Sequence, residues 1–191
     1  MKRTFIAIKI LPRESMVEIF NHFREDLSRE KIKWVDPESM HITLCFLGDT
    51  NEDKIPGLKD EIEKAVSFFP PLKLTFHGCG IFRNFRDPRV IWFGLEKNEL
   101  LKDLKKSLDN TIEPFGFIPD KREFRPHLTM ARIKWIRDIS VLEDLIDAYK
   151  DEPVLVSEIS EVIFYESILK PDGPVYIPLL KATLEGLALK M

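Results

Sequence analysis

Cysteine is scarce in this sequence, and its two copies do not form a recognisable pair. Among 191 residues the only cysteines are Cys45 and Cys79, which lie too far apart for a CxxC motif. We therefore expect no disulfide framework and a reducing, cytoplasmic environment. We also expect no metal or other cofactor, since the sequence has no HExxH, no H-x-H and no Cys/His cluster with zinc spacing.

Long apolar runs and a strong net charge are also absent. No apolar run reaches the ~18 residues that a membrane helix needs, and the first residues lack the apolar region of a signal peptide. The formal net charge of -3 excludes a strongly basic nucleic-acid coat but leaves room for a local basic groove. We expect one bilobal domain over residues 1–191, monomeric and without a membrane partner.

The histidines carry the clearest pattern in the chain. There are four histidines, and two of them begin strand-like segments with the same spacing, His41-Ile42-Thr43 and His127-Leu128-Thr129. Side chains alternate along a strand, so His and Thr at i and i+2 lie on one face, ~6.7 Å apart. A single His-x-Thr is a common tripeptide on a half-buried strand, whereas two copies in matching positions indicate a site.

Strict alternation also predicts which face of the first strand is buried. Its expected core set is apolar: Ile42, Leu44 and Phe46. The alternate set, His41, Thr43 and Cys45, would then face a cleft. We therefore expect the apolar residues to fix the strand in the core while the polar ones remain accessible.

The two halves of the chain show a weak internal repeat. Each His-x-Thr strand is followed by a helical stripe, a proline and a further strand, which begins at Leu72 in the first half and at Val154 in the second. This repeat predicts two similar lobes related by a pseudo-two-fold axis. The two His-x-Thr faces would then meet across a central cleft.

Two histidines and two threonines around a cleft suit a phosphodiester. Histidine titrates near neutral pH, so a pair can supply one base and one acid in the same turnover. Threonine hydroxyls can donate hydrogen bonds to the non-bridging phosphate oxygens. Nucleophilic catalysis by serine lacks a signature, because no G-x-S-x-G elbow is present. The predicted chemistry is metal-independent acid–base catalysis.

These motifs resemble those of the 2H phosphoesterase superfamily, and their flanks resemble the RNA 2′,3′-cyclic phosphodiesterases, also called 2′–5′ RNA ligases. The resemblance covers nearly the whole chain, over residues 3–8, 34–35, 41–48, 89–94, 125–132 and 165–176. It implies an α+β, bilobal fold with two pseudo-symmetric antiparallel-sheet lobes and outer helices around a central cleft.

The resemblance also implies an activity. It is hydrolysis of a 2′,3′-cyclic phosphate at an RNA end to a 2′-phosphate, with 2′–5′ ligation as the reverse reaction. His41 is assigned as the proton donor and His127 as the proton acceptor, although sequence alone does not distinguish the two. Thr43 and Thr129 would bind the phosphate. The implied partner is RNA with a 2′,3′-cyclic phosphate end, or a small nucleotide.

Arg132 matches a family arginine that lies near the phosphate, but its spacing raises a difficulty. It is five residues after His127, so strict alternation would place it on the opposite face of the strand. Either the strand ends or bulges before Arg132, or this residue is not a phosphate ligand. We favour the bulge or strand end, because an arginine buried without a partner is costly.

Further contacts to the nucleotide and the reaction itself remain open at this level. Trp34 and Phe82 could stack on bases and Arg125 could bind another phosphate, but each equally fits a core aromatic or a solvated surface cation. One alternative is a 2H phosphodiesterase for a small nucleotide, such as a 2′,5′-oligoadenylate or an ADP-ribose cyclic phosphate. Another is a protein that binds RNA ends without turnover.

Overall fold

The computed structural model describes residues 1–171 and 173–187, so the end of the predicted domain, 188–191, lies outside the described residues. The strands are β1 (Lys2–Lys9), β2 (Lys31–Trp34), β3 (His41–Thr50), β4 (Leu72–Phe82), β5 (Val90–Leu95), β6 (His127–Trp135), β7 (Pro153–Ile159), β8 (Glu161–Lys170) and β9 (Gly173–Thr183). The helices are α1 (Glu14–Asp26), α2 (Ile55–Ser67), α3 (Glu99–Ile112) and α4 (Ile139–Tyr149).

The strands form two antiparallel sheets, each holding one His-x-Thr motif. The four-stranded sheet has the order β3-β1-β8-β9, and the five-stranded sheet has the order β2-β6-β5-β4-β7. His41 begins β3 and His127 begins β6. β3 and β6 contact each other although they belong to different sheets. The predicted fold, two similar antiparallel-sheet lobes, is confirmed.

Two helices cover the outer face of each sheet. α2 contacts β9 and α3 contacts β3, so this pair covers the four-stranded sheet, while α1 contacts β7 and α4 contacts β4 on the five-stranded sheet. The apolar stripe of α3 shows why: Leu101, Leu104 and Leu108 recur at helical spacing and are buried. Asn98 caps this helix by accepting a hydrogen bond of 2.9 Å from the Leu101 amide.

One hydrophobic cluster joins the two lobes, and a smaller one lies on the other face of β1. The large cluster contains Ile6 and Ile8 of β1 together with Leu128 of β6. The small cluster contains Phe5 and Ala7. β1 is therefore buried on both faces, by helices on one side and by aromatic residues on the cleft side. That the whole of 1–191 is one domain stays a prediction, which the shared cluster supports.

None of the described helices is both long enough and apolar enough to cross a membrane.

Two glycines with the same backbone conformation provide a matched test of the packing between β4 and the segment before β7. Gly48 and Gly78 both have φ of 71°, but a Cβ on Gly78 would lie 2.2 Å from the Lys150 carbonyl oxygen. Gly48→Ala should lower the free energy of unfolding by about 1–2 kcal/mol, from the left-handed conformation alone. Gly78→Ala should lower the free energy of unfolding by at least ~1 kcal/mol more than Gly48→Ala does, because the backbone must also move. Denaturant unfolding measures both, and equal losses would contradict this account.

Candidate active site

A one-residue bulge interrupts the first His-x-Thr strand directly after its threonine. In the pairing of β3 with β1, Thr43 is opposite Ala7 and Cys45 is opposite Ile6, so Leu44 is the extra residue. A bulge of this kind shifts the side chains that directly follow it to the other face of the strand. Leu44 and Cys45 are consequently both buried.

The bulge makes the predicted orientation of Cys45 and Phe46 wrong. Cys45 lies in the core and its thiol donates a hydrogen bond of 3.4 Å to Asp109 of α3, and burial raises its pKa. Phe46, expected in the core, has 57% of its surface exposed. Its ring lies 4.9 Å from the guanidinium carbon of Arg3. Phe46 therefore faces the same side as His41 and Thr43.

The second motif carries the same bulge at the equivalent position. Thr129 is opposite Trp92 and Ala131 is opposite Ile91, so Met130 is the extra residue of β6. Met130 and Ala131 are both buried, and Arg132 is exposed on the side of His127. The strand thus bulges before Arg132, as its interpretation as a ligand requires. Its contact with phosphate stays a prediction.

Backbone carbonyls hold both imidazoles in the same way. His41 Nδ1 lies 2.9 Å from the Ser39 carbonyl oxygen, and His127 Nδ1 lies 2.8 Å from that of Arg125. A carbonyl can only accept, so Nδ1 carries a proton in each ring. Nε2 is then the nitrogen that can take or give a proton in the cleft. Among the described residues no hydrogen bond to either Nε2 is seen.

Aromatic side chains pack against both histidines. The His41 ring centroid lies 5.1 Å from that of Phe5 and 5.1 Å from that of Tyr176 of β9. The Phe82 ring stands perpendicular to His127 with the centroids 4.5 Å apart. These rings restrict the rotation of each imidazole and shield part of it from water, which favours the neutral form.

The electrostatics of the site also favour neutral histidines in the free protein. Burial is the main cause that lowers the pKa of His41, and the charges of Arg132 and His127 lower it further. Burial likewise lowers the pKa of His127, with Arg132 adding to the effect. One cation therefore acts on imidazoles from both lobes. The same charge would attract a phosphate.

Of the other predicted site residues, some have their side chains at the site and one does not. Thr43 and Thr129 share the face of their histidines, Thr43 being exposed and Thr129 half-buried. Phe82 reaches the site as a neighbour of His127. Arg125 contributes its carbonyl group, while its side chain pairs with Glu123 at 2.8 Å. Three of the predicted side chains thus lie at the site, and the Arg125 side chain is engaged elsewhere.

Trp34 is not brought to the cleft, contrary to its predicted role in base stacking. It is opposite the buried Ala131 and its ring packs edge-on against Phe20 of α1, with the centroids 5.4 Å apart. It therefore lies on the helix-covered face of the sheet. Its position agrees with the other interpretation given above, in which Trp34 is an aromatic residue of the core.

Sequence reasoning missed Phe5, Phe46 and Tyr176. Tyr176 lies in the tail segment that resembles the 2H family, yet its neighbour in space, His41, is in the first half of the chain. Phe46 had a usable signal. It occupies the same place in the first motif as Arg132 in the second, so the bulge required for one applies to the other.

Two imidazoles held alike on two contacting strands, each with a threonine on its face, define a two-histidine site of the 2H phosphoesterase type. A family model described as LigT-like phosphoesterase matches the chain twice, over residues 10–92 and 94–176. The chain therefore belongs to the LigT-like phosphoesterase family. The two matches meet within β5, and each of them contains one His-x-Thr motif.

Named relatives and solved structures agree with this assignment. The chain is 36% identical over 174 residues to an RNA 2′,3′-cyclic phosphodiesterase of Methanocaldococcus jannaschii, covering 91% of this chain and 96% of that one. It is 34% identical to one of Thermotoga maritima, covering 96% of both. A crystal structure of a Thermus thermophilus protein superposes with a TM-score of 0.78 at 27% identity, covering 96% and 98% of the two chains. The predicted superfamily and enzyme class, a phosphoesterase hydrolase, are confirmed.

Titration of the histidines tests the electrostatic account without any substrate. In the free protein both His41 and His127 should titrate below the usual value of about 6.5. Arg132→Gln removes a positive charge, so the protonated forms become more favourable and both pKa values should rise. NMR of the imidazole resonances measures this. Arg24→Gln on the outer helix α1 is the control, and unchanged values in the Arg132 variant would contradict the account.

Proposed function

We propose that the protein hydrolyses 2′,3′-cyclic phosphate ends of RNA to 2′-phosphates by acid–base catalysis between His41 and His127. The family match and the names of the relatives support cyclic phosphodiesterase activity. The single observation that carries the mechanism is the matched orientation of the imidazoles, each with Nδ1 bonded to a backbone carbonyl. Both rings can therefore present Nε2 to one phosphate from opposite strands.

The proposed reaction breaks the bond between phosphorus and O3′. His127 Nε2 takes a proton from water, whose oxygen attacks phosphorus, and His41 Nε2 gives a proton to the departing O3′. The product keeps its phosphate on O2′, and exchange with solvent returns both rings to their starting protonation states. The reverse direction, ligation, uses the same two groups with their roles exchanged.

Thr43, Thr129 and Arg132 would stabilise the phosphate during this reaction. Both threonines lie two residues after their histidine on the same face, so their hydroxyls can donate to the non-bridging oxygens. Negative charge grows on these oxygens in the transition state, where a nearby cation is most effective. Arg132 is the cation whose charge acts on both histidines.

A lowered pKa suits His127 as the base in the free protein, whereas His41 can act as the acid only after the substrate has raised its pKa. A neutral His127 is ready to accept a proton at neutral pH. The acid, His41, must be protonated, which Arg132 and burial oppose in the free protein. A bound phosphodiester anion brings a negative charge close to His41 and raises its pKa. Substrate binding would thus prepare the acid, and no step requires a metal.

Replacement of either histidine should nearly abolish hydrolysis. The substrate is an oligonucleotide ending in a 2′,3′-cyclic phosphate, assayed in EDTA with identification of the hydroxyl that keeps the phosphate. We expect a 2′-phosphate from the wild type and losses of about 10²–10⁴-fold in His41→Ala and His127→Ala, the range for a lost acid or base.

The control for these variants is His22→Ala. His22 is exposed on α1 and bonds Tyr149 of α4, on the helices that cover the outer face of the five-stranded sheet. Full activity in either cleft variant would overturn the mechanism. Loss of wild-type activity in EDTA would indicate a metal, and turnover of small cyclic nucleotides alone would favour the small-nucleotide alternative.

A sulfur atom in place of O3′ distinguishes the acid from the base. A thiolate leaves without prior protonation, so a substrate with a P–S3′ bond has little need of a general acid. His41→Ala should therefore recover much of its lost rate on this substrate, whereas His127→Ala should remain as impaired as on the oxygen substrate. Recovery in His127→Ala alone would reverse the two roles.

A further inference from the structure

The cleft face of the five-stranded sheet continues beyond Arg132 as a row of cations. Lys33 of β2 is the direct partner of Arg132 in the pairing with β6. Side chains of directly opposed residues lie on the same face of an antiparallel pair. Lys33 therefore shares the face of Arg132, and Lys31, two residues earlier in β2, follows it on that face.

A second irregularity of β6 adds two more side chains to this surface. Ile32 is opposite Ile133, but Lys31 is opposite Trp135, so Lys134 is an extra residue of β6. Lys134 is exposed next to the buried Ile133. Trp135 then shares the face of Lys31. We refer to Lys31, Lys33, Lys134 and Trp135 as the β2–β6 strip.

The tryptophan of the strip is unusually exposed. Trp135 has 50% of its surface exposed, a large fraction for this residue type. Trp34 of the neighbouring strand, by contrast, is half-buried and packs on the main hydrophobic cluster. A wide aromatic face is thus presented to solvent at the end of a row of cations.

The cations of the strip are not engaged by the carboxylates of the described residues. The chain has a net charge of -3, yet within residues 1–171 and 173–187 no lysine of the strip, nor Arg132, forms an ion pair with a carboxylate. By contrast, Arg89 pairs with Asp87 and Arg125 with Glu123. An anion approaching the strip meets cations that the described carboxylates do not neutralise.

The four-stranded sheet lies next to the strip at Lys33. The Nζ atom of Lys33 lies 3.8 Å from the position that a Cβ of Gly173 would occupy, at the start of β9. At Lys33 the strip therefore borders the other sheet. Arg132 and Lys134 are two residues apart, or ~6.7 Å along a strand. This spacing suits successive phosphates of an extended nucleic-acid strand.

We propose that the β2–β6 strip binds the RNA strand that leads to the reacting end, with phosphates on its lysines and a base stacked on Trp135. Proteins that bind single strands combine a cationic groove with aromatic platforms in this way. The proposal rests on the proposed function, because the terminal phosphate would occupy the two-histidine site. It makes an RNA chain, in preference to a free nucleotide, the favoured substrate.

Two substrates of different length isolate the strip from the chemistry. A nucleoside 2′,3′-cyclic monophosphate fills the two-histidine site alone, whereas a decanucleotide with the same end also reaches the strip. The variants are Lys33→Gln/Lys134→Gln and Trp135→Leu, with Trp135→Phe as the conservative change. The control is Lys64→Gln/Lys106→Gln, which removes the same charge from exposed positions on α2 and α3.

We expect kcat/KM on the decanucleotide to fall about 10-fold in the lysine variant and about 5- to 100-fold in Trp135→Leu, mainly through KM. Activity on the mononucleotide should stay unchanged, which also shows that the variants fold. Trp135→Phe should keep most of the activity. On the decanucleotide, the slope of log kcat/KM against log salt concentration should become less negative by ~1.4 in the lysine variant, because two phosphate contacts are lost.

The outcomes separate the two proposals. Unchanged decanucleotide activity in both strip variants overturns the strip while leaving the proposed function intact, and a protein partner would then be the explanation for Trp135. If the wild type hydrolyses neither substrate, the proposed function fails. Fluorescence anisotropy with a decanucleotide ending in a 2′-phosphate then still tests whether the strip binds RNA. Binding by the variants equal to that of the wild type would overturn the proposed role of the strip.

Discussion

The geometry of the cleft depends on one feature of the backbone, the bulge that follows each His-x-Thr. Alternation alone places His and Thr on one face and sends the residue five positions after His into the core. The extra residue, Leu44 in one strand and Met130 in the other, reverses this. Phe46 and Arg132 then join their histidines on the cleft face. Each strand thus presents three side chains to the cleft while its apolar residues stay buried.

Backbone contacts position both imidazoles. Each imidazole is held by the carbonyl group two residues before it, at the point where the strand begins. Carbonyl oxygens cannot titrate, so the tautomer does not depend on the ionisation of a neighbouring carboxylate. The pseudo-symmetry therefore produces two chemically similar histidines. The two lobes nevertheless differ on the cleft face, with Phe46 beside Arg3 in one and Arg132 in the other.

Charge is distributed to match this arrangement. Among residues 1–171 and 173–187, Arg132 and the lysines of the β2–β6 strip form no ion pair with a carboxylate, whereas Arg89 and Arg125 do. Solvent screening weakens exposed pairs but has less effect on the half-enclosed site, where Arg132 influences both histidines. Burial lowers the pKa of both histidines, and Arg132 lowers it further. In the proposed function the same cation would attract the phosphate that changes their protonation.

The sequence by itself determined the two motifs, the helical stripes and the repeat, because these depend on spacing along the chain. It also contained the requirement for a bulge at Arg132, from the cost of burying an unpaired arginine. Only the tertiary structure decided that Trp34 packs on α1 and that Tyr176 lies beside His41. Strand register and long-range packing are set by contacts between residues far apart in the chain, and no local pattern encodes these contacts.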